Sequence, residues 1–203
     1  VFSDFADAAT VRRMFRNNAV LMLNGHHAPG AASVTMDEDH GIGEAVADAA
    51  GKGVRSALLV TGRPNSLVEQ ARIASYRAAL TRHGITLLGE LAGDYSYASG
   101  RALAERIDVE ATGAVFCTSD AMAMGVLDAH RAHFPQHRPQ RFRLYGFDNI
   151  SLTQFDAYPI SSIGADRRDY VAQIVRLLKE PADLAHSSGQ VLVATRFVPR
   201  LTG

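Results

Sequence analysis

A single cysteine, a formal net charge of zero and the lack of any long apolar run set the first limits on this 203-residue chain. Cys117 is the lone cysteine and falls within the apolar run AVFC. No disulfide framework is therefore available, a reducing, cytoplasmic compartment is expected, and the thiol reads as a small core group rather than a nucleophile. The 21 Lys and Arg are balanced by 21 Asp and Glu, which leaves no basic field for nucleic acid. No stretch approaches the roughly 20 apolar residues of a membrane span, and the opening VFSDFADAATVRRMF lacks the architecture of a signal peptide, so no membrane partner is expected.

Catalytic signatures are also missing. There is no G-x-S-x-G elbow, no P-loop and no histidine paired with a nucleophile, so the chain does not read as an enzyme. Gly41-Ile42-Gly43 begins like a dinucleotide fingerprint, but Val46 stands where the third glycine belongs. His26 and His27 are adjacent in a Pro-Gly loop with no third ligand at a recognisable spacing, so neither a metal nor a cofactor is expected.

What is present is a rhythm of short apolar runs, each followed by a polar turn and a helical pattern. Ala114 to Cys117 reads as a strand covered on both faces, Thr118 to Asp120 as its turn, with Asp120 as N-cap, and the segment to Ala129 as a helix whose Gly125 admits a neighbouring backbone. Phe142 to Gly146 reads as a second such strand, followed by Phe147, Asp148 and Asn149. Strands are also expected at Ala19–Leu23, Ser33–Met36, Ser56–Val60, Thr86–Leu91 and Pro159–Ile163, with a closing pair at 190–193 and 196–199. Helices are expected over Ala6–Asn17 (face Val11, Met14, Phe15), from Asp37 to Ala50, over Ser66–His83 (packing through Val68, Ala71, Ala74, Ala78 and Ala79), over Ser99–Ile107 and over Arg167–Lys179. Gly51 and Gly53 read as helix-ending glycines. Repeated βαβ units predict an α/β fold, a parallel sheet with helices on both faces. In such sheets ligands bind at the carboxyl ends of the strands, which makes the turns at Thr118–Asp120 and Asp148 candidate site walls.

In order along the chain, Val34–Asp37 before Gly41, SALLVTG, RIASYRAAL (72–80), GDYSYASG (93–100), FCTSDAMAMG (116–125), LYGFDNI (144–150), Pro159–Ile163 and FVPRLT (197–202) resemble the effector-binding core of LacI/GalR-family transcription regulators. Ser75 and Tyr76 stand where that family's Arg-x-x-Gly-Phe pattern has Gly and Phe, and Ser119 stands where many relatives carry Asn. The resemblance implies the type I periplasmic-binding-protein fold, two lobes of parallel β-sheet flanked by helices, with part of the N-terminal lobe missing. The family's DNA-binding headpiece and two βα units, about 60 residues at ~30 per unit, would precede Val1.

The resemblance further implies an N-terminal lobe of residues 1–36 plus 164–187 and a C-terminal lobe of 37–163 plus 188–203. The effector, a sugar, sugar acid or sugar phosphate, would lie between them. Asn24, Met36, Arg72, Tyr95, Ser119, Asp148 and Arg167 are the residues it would place around that effector. A carboxylate and a guanidinium suit vicinal hydroxyls, and a tyrosine ring covers an apolar sugar face. A homodimer is implied, with operator DNA bound only through the headpiece. A periplasmic sugar-binding protein of the same fold is the alternative.

Overall fold

The computed structural model describes residues 8–23, 31–133, 141–179 and 189–203. The first helix, α1 (Ala8–Met14), precedes β1 (Leu21–Leu23) and β2 (Ala32–Asp37). Then come α2 (Glu38–Gly51), β3 (Ser56–Thr61), α3 (Leu67–Arg82), β4 (Thr86–Ala92) and α4 (Tyr97–Leu103), which runs on into a 3₁₀ turn. The chain continues through β5 (Ala114–Cys117), α5 (Asp120–His133), β6 (Arg143–Phe147), β7 (Ser161–Ala165), α6 (Arg167–Lys179) and β8 (Gln190–Val198).

The strands run in the spatial order β1-β2-β8-β7-β6-β5-β3-β4, and every pairing is parallel except β7 with β8. This is the expected mostly parallel α/β sheet with flanking helices. The expected closing pair of strands is instead one nine-residue strand. Nothing interrupts VLVATRF, and what changes midway is the partner: Ser33–Asp37 of β2 lie beside Gln190–Ala194, and Ser162–Ala165 of β7 lie beside Thr195–Val198. No residue of β8 is flanked by both neighbours, so β8 joins two sheet segments end to end.

β5 shows why the middle of the sheet reads so plainly as a strand. Successive side chains leave on opposite faces. Ala114 and Phe116 enter a core with Ile42 and Val46 of α2 and Tyr76 and Leu80 of α3, while Val115 and Cys117 enter another with Leu103, Met122 and Leu127. Phe116 stacks on Tyr145 with ring centroids 4.6 Å apart, and Cys117 is fully buried as expected. On the second face, a Cβ on Gly125 would lie 2.2 Å from the Tyr97 carbonyl oxygen, so the expected close approach is real: it is α4 crossing α5.

Two helix faces differ from expectation. Among the described side chains of α1 only Val11 is buried, and Met14 and, just beyond the helix, Phe15 are exposed. α3 packs through Glu69, Arg72, Tyr76, Ala79 and Leu80, while Ala71, Ala74 and Ala78 face solvent. The expected stripe followed the small apolar residues. The real one buries two ionisable side chains because each finds a charged or hydrogen-bonding partner far away in sequence.

Candidate functional site

The carboxyl ends of β3, β5 and β6 lie along one edge of the sheet, and α3 runs past them. Ser66 starts that helix by accepting the Glu69 amide at 3.2 Å, which fixes the first turn and directs Glu69 and, one turn on, Arg72 toward the edge. The Glu69 carboxylate is fully buried. Its Oε1 accepts the Gly62 amide (2.6 Å) and the Thr118 hydroxyl (2.7 Å), and its Oε2 accepts the Tyr95 hydroxyl (2.9 Å). One carboxylate thus ties together the turns after β3, β4 and β5.

Arg72 is also buried, and its guanidinium faces Glu38 in the first turn of α2. Nη2 donates to Oε1 at 2.6 Å, Nε donates to Oε2 at 3.1 Å, and Nη1 donates to the Thr118 carbonyl at 2.8 Å. Its carbon lies 3.7 Å from the centroid of the Phe147 ring. Burial alone lowers the pKa of such a group; the charge and hydrogen bonds of Glu38, with Asp148 and Glu69 beyond, more than reverse this, so Arg72 is held firmly charged. Three of the five N–H groups of a guanidinium are engaged in this way.

Of the expected site residues, Tyr95 and Ser119 lie together. Tyr95 is half-buried, adopts φ of 72°, and its carbonyl accepts the Ser119 hydroxyl at 3.3 Å. Ser119, not Asp120, caps α5, accepting the Met122 amide at 3.2 Å. Asp120 is the first residue of the helix proper, and its carboxylate points away to the loop after β6, so the expected cap is corrected by one position. Gly62 is where Tyr95 needs room: a Cβ there would lie 1.9 Å from the ring.

Asp148 is exposed, sits at φ of 99°, and contributes to the field on Arg72. Arg167, exposed at the start of α6, donates to the Asn149 carbonyl at 3.4 Å and so lies at the same rim. Met36 is half-buried and lines a cavity of about 310 Å³ with Asp37, Glu38, Asp39, Ser75 and Leu192, next to the Arg72–Glu38 pair. Asn24, like His26 and His27, lies outside the described residues. No group of three metal-ligating side chains occurs among the described residues.

Sequence reasoning missed Glu38, Glu69 and Phe147, while Thr118 lay in the turn already singled out. Glu69 was signalled by its place three residues before Arg72, on the same helix face. Glu38 carries no comparable signal, since its partner is 34 residues away.

The model of the periplasmic binding protein-like domain family matches residues 46–202. The transcriptional repressor CytR of Escherichia coli is 31% identical over 134 residues, which is 64% of this chain and 39% of that protein. The lactose operon repressor of Klebsiella pneumoniae is 27% identical over 165 residues, 79% of this chain and 46% of that protein. The chain thus spans about two-fifths to one half of these relatives, which are transcriptional repressors and not enzymes. A dimeric lac repressor structure with a C-terminal deletion superposes with a TM-score of 0.87 at 23% identity, covering 98% of this chain and 74% of that one, which is a likeness of fold. With a family model matching most of its length, this chain belongs to the periplasmic binding protein-like domain family.

Proposed function

We propose that the chain is the effector-binding core of a LacI-type regulator and binds a sugar or sugar derivative in a cleft between two lobes. The single observation that carries this reading is the convergence of Arg72, Tyr95, Ser119 and Asp148 along the carboxyl edge of the sheet, where ligands of open α/β folds bind. Asp148 offers two acceptors for vicinal hydroxyls, the remaining Arg72 N–H groups are donors, and Tyr95 supplies a ring for an apolar sugar face.

The neighbouring cavity supports a neutral ligand. Asp37, Glu38 and Asp39 all line it, and Arg72 is already neutralised by Glu38, so a sugar acid or sugar phosphate meets net negative charge there. The lobes in this reading are residues 1–36 plus 164–187 and 37–163 plus 188–203, joined at β8. A ligand touching both favours one relative arrangement of the two and shifts that equilibrium. In the whole protein the shift would pass to a DNA-binding headpiece, and effector and operator affinities would be coupled reciprocally.

Dimerisation belongs to the same proposal. Tyr97, Leu152 and Phe155 are exposed, and Asp128 accepts the hydroxyls of both Tyr97 and Tyr158; these exposed apolar side chains are the ones offered to a two-fold contact with a second copy. The test is a thermal-shift screen of the protein against neutral sugars, sugar acids and sugar phosphates. A rise in melting temperature confined to neutral sugars is expected. Stabilisation by the anionic compounds alone overturns the proposed ligand class, and no stabilisation by any member of the panel overturns the effector reading.

A further inference from the structure

The loop that carries Asp148 is held in an unusual shape. Asp148 and Asn149 are consecutive non-glycine residues with φ of 99° and 47°, conformations that cost free energy unless the surroundings impose them. The surroundings here are few and specific. The Asp148 amide donates to the Ile163 carbonyl at 2.7 Å, the Asn149 amide to the Ser162 hydroxyl at 3.0 Å, and the Ile150 amide to Asp120 Oδ2 at 2.8 Å. Arg200 donates from Nη2 to the Asn149 side-chain oxygen at 2.7 Å. The Ser162 hydroxyl in turn donates to Asp120 Oδ1 at 2.6 Å, so both oxygens of the buried Asp120 carboxylate act as acceptors in one chain of bonds to the loop. Asp120 lies tight against β6 as well: a Cβ on Gly146 would be 2.1 Å from its Oδ1.

Resting on the effector reading above, we propose that Asp120 is the positioning residue for Asp148, a carboxylate clamp whose gain of one proton releases the 148–150 loop. The logic is one of donors and acceptors. A proton on Oδ2 displaces the Ile150 N–H and so removes a bond that imposes the strained shape; a proton on Oδ1 reverses the Ser162 bond, keeps the Asn149 and Ile150 bonds, and leaves the Ser162 hydrogen without its acceptor. The Oδ2 form is the one that releases the loop.

The groups around Asp120 place this event near neutrality. Burial raises its carboxyl from the usual carboxylate range to about 7; the bonds from Ser162 and Ile150 and the charge of Arg200 oppose the rise, and Asp148 adds to it. Asp148 on the loop and Arg200 after β8 are the charged groups facing it. From β5 it faces the Cys117 thiol, which burial keeps protonated. If only the ionised clamp presents Asp148, apparent affinity for a ligand that needs Asp148 falls about tenfold for each pH unit below the midpoint.

The test needs no ligand. The backbone amide resonances of Asn149 and Ile150 are followed from pH 5 to 9 in the wild type, in Asp120→Asn and in Ser162→Ala. Both amides are expected to titrate together with a midpoint near 7 in the wild type, to be flat in Asp120→Asn, and to titrate at higher pH in Ser162→Ala, which has lost a donor to the carboxylate. Amides that do not titrate in the wild type, or that titrate unchanged in Asp120→Asn, overturn the clamp. If Asp120→Asn fails to fold, an unmoved midpoint in Ser162→Ala does the same. Such a failure leaves the effector reading standing, and a sugar screen without a hit leaves the titration standing.

Discussion

Arg72 of α3 and Glu38 of α2 meet as a two-pronged ion pair, both side chains largely out of solvent, at 6% and 12% exposure. The pair joins the helix that follows β2 to the helix that passes the ends of β3 and β5, so it is a structural tie, and its Glu38 lines the adjoining cavity. Removing one partner strands a buried charge. Arg72→Ala is expected to cost about 3 kcal/mol or more in urea unfolding. Replacing both partners together (Arg72→Met with Glu38→Leu) is expected to recover most of that loss. Equal losses in the single and double variants would show that the pair contributes through something other than its charges.

Tyr76 presents the opposite case. Its hydroxyl is fully buried and has no hydrogen-bond partner among the described residues, while its ring packs 5.4 Å from Phe116. Tyr76→Phe keeps the ring and removes the stranded group, which is expected to stabilise the fold by about 1 kcal/mol. The melting temperature of the variant checks this, and a lower value than wild type would mean that the hydroxyl has a partner in solution.

The α4–α5 crossing leaves no room for a side chain at Gly125, where the nearest atoms are the Tyr97 carbonyl oxygen at 2.2 Å and the Arg101 amide nitrogen at 2.6 Å. These are backbone atoms and cannot swing aside. Gly125→Ala is expected to destabilise by about 1–3 kcal/mol despite its better helix propensity. Gly43→Ala in α2, where a Cβ meets nothing within 4 Å, is the control and should be neutral or stabilising in the same thermal melts.

Asp120 also imprints the pH dependence of stability. Its folded-state pKa of about 7 lies above the unfolded value, so between roughly pH 4 and 7 the folded state holds a proton that the unfolded state has released. Its contribution therefore favours folding at low pH and is lost as pH rises toward 7, with a slope of at most about 1.4 kcal/mol per pH unit. Asp120→Asn should remove that component from a plot of unfolding free energy against pH, and an unchanged slope would contradict the assignment.

Much of the architecture was legible because burial on both faces leaves an unambiguous mark. AVFC is a central strand with every residue buried, and the turn after it bonds to Glu69 through Thr118 and to Tyr95 through Ser119. The likeness of ordered segments such as FCTSDAMAMG and LYGFDNI to a known family led correctly to the fold. Illegible features depend on partners distant in sequence. The packing face of α3 was misplaced onto alanines because Glu69 and Arg72 look like solvent-facing residues until Thr118 and Glu38 are beside them. Asp120 looked like a cap because nothing local distinguishes a carboxylate that bonds its own helix from one that bonds Ile150 and Ser162 across the sheet. The two halves of β8 looked like two strands, since sequence reveals an extended stretch and not a change of neighbour.

The central claim is that a ligand seats against Asp148 at the carboxyl edge of the sheet. It is tested most directly by isothermal titration of the wild type, Asp148→Asn and the outer-surface variant Leu88→Ala with a neutral sugar that stabilises the protein in the thermal-shift screen. Leu88→Ala is expected to bind like wild type, while Asp148→Asn keeps its unliganded melting temperature and loses binding by about tenfold or more, the loss of a charge-assisted hydrogen bond. Wild-type affinity in Asp148→Asn would place the ligand elsewhere and contradict the account.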